Sequence, residues 1–298
     1  MTEPASSFGF RVRPSAVVDV LGVDRAAFLQ GQLASDVRQA GEAGVVPAVG
    51  LTPRGKLLYA GRLAAMPDRY RLLLPSASRE PVIAHLKKYA AFQKVSIEDR
   101  SGEITRIALF GPVSHVPAGD ALVLSGEGEA SSEILVASAQ VEALLDAWAS
   151  EGGHPIAEAE SEALRVEAGR PEWGRDADET HLPDEAGFGG AISTSKGCYV
   201  GQEIVARMRT YGRANRRLVG FRFPDGAVAA GALLRRPGET EPSRIETGRV
   251  TSSAESPRFG AIGLGYAFRD VAPGDRLVAV DDPSRGAVVC ALPFSSES

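Results

Sequence analysis

Beyond residue 216 the chain breaks into short apolar runs, each cut off by glycine or proline. Leu218 to Phe223, Ala261 to Phe268, Arg276 to Val280 and Ala287 to Leu292 are the clearest. Their spacing predicts a small antiparallel β-barrel over 216–298. Upstream the pattern differs. Ala16 to Val20 reads as a short strand. A helix is predicted from Asp24 through Leu29, Leu33 and Val37, ended by Gly41 and Gly44. Asp24 is placed as its N-cap, with Val23 and Phe28 spaced to staple its start. Leu57 to Leu63 and Tyr70 to Leu74 read as strands about a Pro67-Asp68 turn. A helix follows Ser78, with Pro81 in its first turn. Lys94 to Ile97 and Ile104 to Phe110 read as further strands, and Val141 to Trp148 as an amphipathic helix. Strands with interspersed helices predict an α+β sandwich of ferredoxin-like type for 51–149.

The 298 residues are enough for two or three domains, and the formal net charge is -5. That balance argues against a nucleic-acid partner. No apolar run reaches the length of a membrane span, so no membrane partner is expected. Met1 to Phe10 lacks a basic start followed by a long apolar stretch, so no secretory signal is expected. Two distant cysteines, Cys198 and Cys290, make no disulfide framework and point to a reducing cytoplasm. Cys290 sits in an apolar run and is predicted to pack in a strand. His85, His115, His154 and His181 are scattered, none at metal-ligand spacing from a cysteine, so no resident metal is expected.

The segment that carries chemistry is Lys196-Gly197-Cys198-Tyr199-Val200-Gly201-Gln202-Glu203, continued by Ile204-Val205-Ala206-Arg207. Val200, Ile204, Val205 and Met208 make an apolar stripe at helical spacing. Cys198 would then stand near the positive end of a helix dipole, beside Lys196. Both neighbours would favour a reactive thiolate. The alternative is a buried structural cysteine at a helix start, and spacing alone leaves the two balanced. The surrounding charge is split. Residues 158–188 are rich in Asp and Glu, while 196–217 carry Lys196, Arg207, Arg209, Arg213, Arg216 and Arg217 against Glu203. Each run reads as a solvated face. Together they also fit a site with two electrostatic ends, one for a group rich in N–H donors and one for a carboxylate-bearing tail.

The Lys196 to Glu203 segment closely resembles the signature of the YgfZ family, folate-binding proteins related to the aminomethyltransferase (T-protein) of the glycine cleavage system. Further landmarks follow in order. They are Phe28-Leu29-Gln30-Gly31-Gln32-Leu33 with Asp36, and Leu51-Thr52-Pro53-Arg54-Gly55-Lys56. Then come Leu164-Arg165-Val166-Glu167-Ala168-Gly169-Arg170-Pro171 with Gly174 and Asp176, Leu182-Pro183-Asp184-Glu185-Ala186, and Gly248-Arg249-Val250-Thr251-Ser252.

The resemblance implies an α+β, three-part, cloverleaf-like aminomethyltransferase fold. Residues 1–50 plus 150–215 would form a folate-binding domain, 51–149 the α+β domain, and 216–298 the barrel. It implies tetrahydrofolate or a one-carbon derivative as ligand. Glu167 is the position matching the pterin-binding acid, and a carboxylate suits a pterin edge with adjacent N–H donors. Lys196, Tyr199, Gln202, Glu203 and Arg207 are the further candidate folate contacts, and Cys198 is the candidate functional thiol. The family is implicated in building or maintaining iron–sulphur clusters in other proteins, so iron–sulphur client or assembly proteins are the implied partners. One departure matters. Aminomethyltransferases place an acidic pair soon after a glycine, but after Gly55 this chain has Leu58 and Tyr59 there. Neither can act as a carboxylate would. A folate-dependent one-carbon transferase using Asp36, Asp176 or Glu203 is the alternative, and a non-folate interaction scaffold the second.

Overall fold

The structure, a computed structural model, describes residues 8–111, 121–126, 130–212, 214–239 and 246–295. His115, Arg213 and residues 1–7 lie outside them. Two compact units emerge: Met1–Ile156 with Ala191–Ile204, and Ala157–Gly190 with Val205–Ser298. Among the described residues no helix is long and apolar enough to cross a membrane.

The first unit runs β1 (Phe8–Arg13), β2 (Ser15–Leu21), α1 (Arg25–Gln32), α2 (Gln39–Ala43), β3 (Val45–Leu51), β4 (Leu57–Ala65) and β5 (Arg69–Pro75). It continues with α3 (Arg79–Ala90), β6 (Ser96–Asp99), β7 (Ile104–Phe110), β8 (Leu122–Ser125), β9 (Ser132–Ala137), α4 (Val141–Ser150) and β10 (Gly153–Pro155). Two five-stranded sheets result, ordered β3-β4-β5-β2-β6 and β10-β1-β7-β9-β8. The residues expected as separate parts, 1–50 and 51–149, share both sheets. β2 lies between β5 and β6, and β1 pairs with β7. Local patterning carries no record of such long-range pairing.

β2 shows how the core is built. Ala16, Val18 and Val20 point to one face and pack with Phe28 and Leu29 of α1 and Leu86 of α3. Full burial of each large apolar side chain contributes roughly 1.5–3 kcal/mol. Val17 faces the other way and packs with Leu135 of β9. Asp19, also fully buried, is compensated by two contacts from Arg71 at 2.7 Å each. A second buried acid, Glu133 on β9, receives Arg62 from β4 and Arg106 from β7.

The helix expected from Asp24 to Val37 is shorter. α1 ends at Gln32, and Leu33 is extended (φ -99°, ψ 145°) and bridges Gly50. The Gln30 side chain then accepts from Val37 N–H, which fixes the turn before α2. Val23 is 76% exposed, so it staples nothing. Asp24 makes no cap bond; its carboxylate accepts instead from Lys94 N–H at 2.9 Å.

The second unit contains α5 (Glu158–Glu167), most of α6 (Gln202–Tyr211), and strands β11 (Arg216–Arg222), β12 (Leu233–Arg235), β13 (Gly248–Ser256), β14 (Gly260–Phe268), β15 (Arg276–Ala279) and β16 (Gly286–Cys290). The strands close into a barrel ordered β11-β14-β13-β12-β15-β16, as the sequence pattern predicts. At Gly265 the strands approach so closely that a Cβ would lie 2.0 Å from the Arg249 carbonyl oxygen. Cys290 is buried in β16 and packs with Val166 of α5, Ile262 and Leu264.

Candidate functional site

Three stretches far apart in sequence meet in the first unit: the end of α1, the β3–β4 loop, and the signature loop 193–201. Ser193 N–H donates to Ala34 C=O at 2.9 Å, and Val200 N–H to Gly31 C=O at 3.2 Å. Lys196 drives its ammonium between two further carbonyls, reaching Leu33 O at 2.6 Å and Ser35 O at 2.8 Å. Its Nζ also lies 5.2 Å from the ring centroid of Tyr199, a cation–π contact. Lys196 is 5% exposed. Burial pulls its pKa down to about 8, against the opposing pull of the nearby Asp36 charge.

Gly201 seals the other side. Its φ is 83°, and a Cβ there would sit 2.6 Å from Thr52 O and 3.3 Å from Gly55 Cα. Replacing Gly201 by alanine is therefore expected to lower stability by about 1–3 kcal/mol. Urea denaturation reads this directly, and an unshifted midpoint would contradict the clamp.

The loop so held presents Cys198 to solvent. This rejects the buried-cysteine alternative. The Lys196 ammonium is spent on Leu33 and Ser35 rather than turned toward the thiol. The helix begins at Gln202, four residues on, with Gly201 between. Val200 belongs to the turn before α6, although Val205 is buried on the helix as the stripe predicts. Tyr199 lies under Lys196 and is nearly buried. Gln202 is half-buried in the first turn of α6, and Glu203 is exposed beside it.

Asp36 stands near this loop, but it is not a base in waiting. Arg38 donates to its carboxylate at 2.9 and 2.7 Å, and Gln30 at 2.9 Å. The Arg38 hydrogen bonds, foremost among its contacts, hold the Asp36 carboxyl well below the usual range. At the positions where a transferase acid would stand, Leu58 packs against the core. Tyr59 is fully buried, and its hydroxyl has no hydrogen-bond partner among the described residues.

Glu167 and Arg207 belong to the second unit. Glu167 ends α5 and is 3% exposed. Its Oε1 accepts from the Ser256 hydroxyl at 2.5 Å and its Oε2 from Arg258 at 3.2 Å. Neither partner was legible beforehand, because both lie about ninety residues away at the β13–β14 turn. A carboxylate has about four lone-pair sites, and these two partners occupy two of them. Asp176, by contrast, is full. It is entirely buried and accepts from Arg165 at 2.7 Å, Ser252 Oγ at 2.7 Å, Glu172 N–H at 2.9 Å and the Thr251 hydroxyl. Arg207 is exposed on α6.

Comparison with known proteins places this geometry. No protein-family model matches the chain. The tRNA-modifying protein YgfZ of Escherichia coli O139:H28 is 27% identical over 95% of this chain and 91% of its own length. An aminomethyltransferase of Rubrobacter xylanophilus is 28% identical over 96% of this chain and 82% of its own. Among solved structures, the glycine cleavage system aminomethyltransferase T of Bartonella henselae superposes with a TM-score of 0.85. It covers 98% of this chain and 87% of the other, at 19% identity. This chain is similar to YgfZ and to an aminomethyltransferase over most of its length. The T-protein-like α+β fold with its C-terminal barrel is thereby established. Within it, Lys196 to Gly201 form the loop that displays Cys198.

Proposed function

We propose that the chain binds tetrahydrofolate or a one-carbon derivative and supports assembly or repair of iron–sulphur clusters in client enzymes. Cys198 is its working thiol. The observation that carries this reading is an exposed cysteine on a loop bonded to the Gly31–Ser35 segment and packed closely against the Thr52 backbone. Restraint of that kind is expected where a reactive group must be held for a partner and is unneeded for an idle surface residue. Glu167 supports the folate part, since its carboxylate has acceptor capacity left and its Arg258 partner is 61% exposed and displaceable. Arg207 is an exposed cation suited to the carboxylates of a folate tail. Gln202 and Glu203 remain proposed contacts, Tyr199 supports them through Lys196, and Lys196 itself acts by positioning the loop rather than by touching the ligand. A reducing cytoplasm suits a protein that works through an unpaired thiol.

The transferase alternative is weaker on the same page. Two of its three candidate acids, Asp36 and Asp176, are locked in hydrogen bonds, which leaves the exposed Glu203. The name of the Escherichia coli relative attributes tRNA modification to that protein. A net charge of -5 gives this chain no general affinity for nucleic acid. In cells lacking the native chain, wild type should restore the activity of iron–sulphur enzymes, whereas Cys198→Ser should not. Equal restoration by both would remove the thiol from the account.

A further inference from the structure

The second unit carries a cavity of about 680 Å³ that the folate reading does not use. It lies beside the 175–185 loop, at the start of β13 and the end of β14. Tyr266 is its platform. The ring is 4% exposed, and its hydroxyl donates to the Asp176 carbonyl at 2.6 Å, which fixes its plane. Two cavity-lining side chains are ordered by that ring. His181 stacks on it, with centroids 4.7 Å apart and an interplanar angle of 25°. The Arg216 guanidinium carbon lies 5.4 Å from its centroid.

Both side chains hold capacity in reserve. His181 Nδ1 is engaged within its own turn, 2.8 Å from Asp178 Oδ1 and accepting from the Asp178 backbone N–H at 3.3 Å. Nε2 has no hydrogen-bond partner among the described residues. Arg216 approaches Glu185 no closer than 3.9 Å, outside hydrogen-bond reach. The other oxygen of Glu185 accepts from Leu182 N–H at 3.0 Å. Among the described residues the Arg216 side chain therefore donates no hydrogen bond, and its guanidinium sits over the Tyr266 ring. A preorganised fork with unspent donors is matched by a planar carboxylate or a phosphate. The remaining lining decides between them. Arg175 and Arg249 also line the cavity but are paired, Arg175 with Glu162 and Glu172 and Arg249 with Glu246, which leaves the carboxylates of Asp178 and Glu185 at its border. They would repel a phosphate dianion more than a carboxylate monoanion, and they offer acceptors to an ammonium or amide on the same molecule. The volume lies in the range of sites for organic ligands rather than bare ions.

We propose that this cavity binds the carboxylate end of an amino-acid-like molecule, with Arg216 gripping the carboxylate and His181 Nε2 as a further hydrogen-bond partner. The test uses the full chain and NMR of two side chains, the Arg216 Nε–H and the His181 ring. Each is followed during titration with L-serine, acetate, inorganic phosphate or sodium chloride at constant ionic strength. L-Serine should shift both signals saturably, more tightly than acetate, and phosphate should bind more weakly than either. Arg216→Lys keeps the charge but loses the fork, and should weaken L-serine binding by about tenfold. Its melting temperature is checked alongside. An equal response to chloride, tighter binding of phosphate, L-serine no tighter than acetate, or full affinity in a folded Arg216→Lys would overturn the proposal. No tetrahydrofolate is involved, so the outcome is independent of the folate reading.

Discussion

Replacing Asp176 by alanine is expected to destabilise the second unit by about 3–5 kcal/mol, because it strands a buried charge. Asp176 is wholly buried, and it gathers Arg165 from α5, Thr251 and Ser252 from β13, and the backbone at Glu172. Its removal leaves Arg165, whose side chain is 13% exposed, paired with Glu162 alone. It also leaves the Ser252 hydroxyl and the Glu172 amide without their acceptor, while the Thr251 hydroxyl keeps the Leu264 carbonyl at 3.2 Å. Asparagine keeps the shape and two lone pairs but not the charge, so Asp176→Asn should fall between alanine and wild type. Urea denaturation monitored by near-ultraviolet circular dichroism measures both. A loss below about 1 kcal/mol for the alanine variant, the level of an exposed ion pair, would show that Asp176 does not hold α5 to the barrel.

The second large effect concerns Lys196. Lys196→Met keeps much of the side-chain volume but leaves the Leu33 and Ser35 carbonyls without their donor. A loss of about 1–3 kcal/mol at neutral pH is expected, after relief of the buried charge is set against it. The pH dependence is more diagnostic. Burial lowers the folded-state pKa from its usual 10.5 to about 8. Between those values the unfolded chain still binds the proton that the folded chain has released. Stability from this group therefore rises with pH across that window. The neutral amine keeps two N–H donors, enough for both carbonyls, so the loop stays clamped while the charge penalty disappears. Wild type should thus gain on Lys196→Met from pH 8 upward, reaching its full advantage near 10.5. Denaturation at intervals from pH 7 to 10.5 reads the difference. Parallel curves would mean that the amine is not buried in solution.

The parts of the fold that sequence reveals are those governed by local chemistry. The barrel is legible because apolar runs of strand length alternate with glycine and proline. α3 and α4 are legible from their periodicity. What escapes is set by distant partners. The continuous helix to Val37 fails because Leu33 extends to bridge Gly50, and Asp24 is drawn off its capping role by Lys94. Lys196 is adjacent to Cys198 in sequence, which invites a direct electrostatic effect. Its ammonium instead answers carbonyls some 160 residues away. The segment is displayed as a loop with Cys198 exposed, and the carbonyls that hold that loop did not follow from neighbours in the chain. Glu167 was legible as a position, and its partners Ser256 and Arg258 were not.

The measurement that tests the central claim most directly is an anaerobic calorimetric titration with tetrahydrofolate of wild type and Glu167→Gln. The account predicts saturable binding to wild type, weakened by about tenfold or more in Glu167→Gln, where an amide replaces one charged acceptor with a donor. Absence of binding to wild type, or equal binding to both proteins, would contradict it.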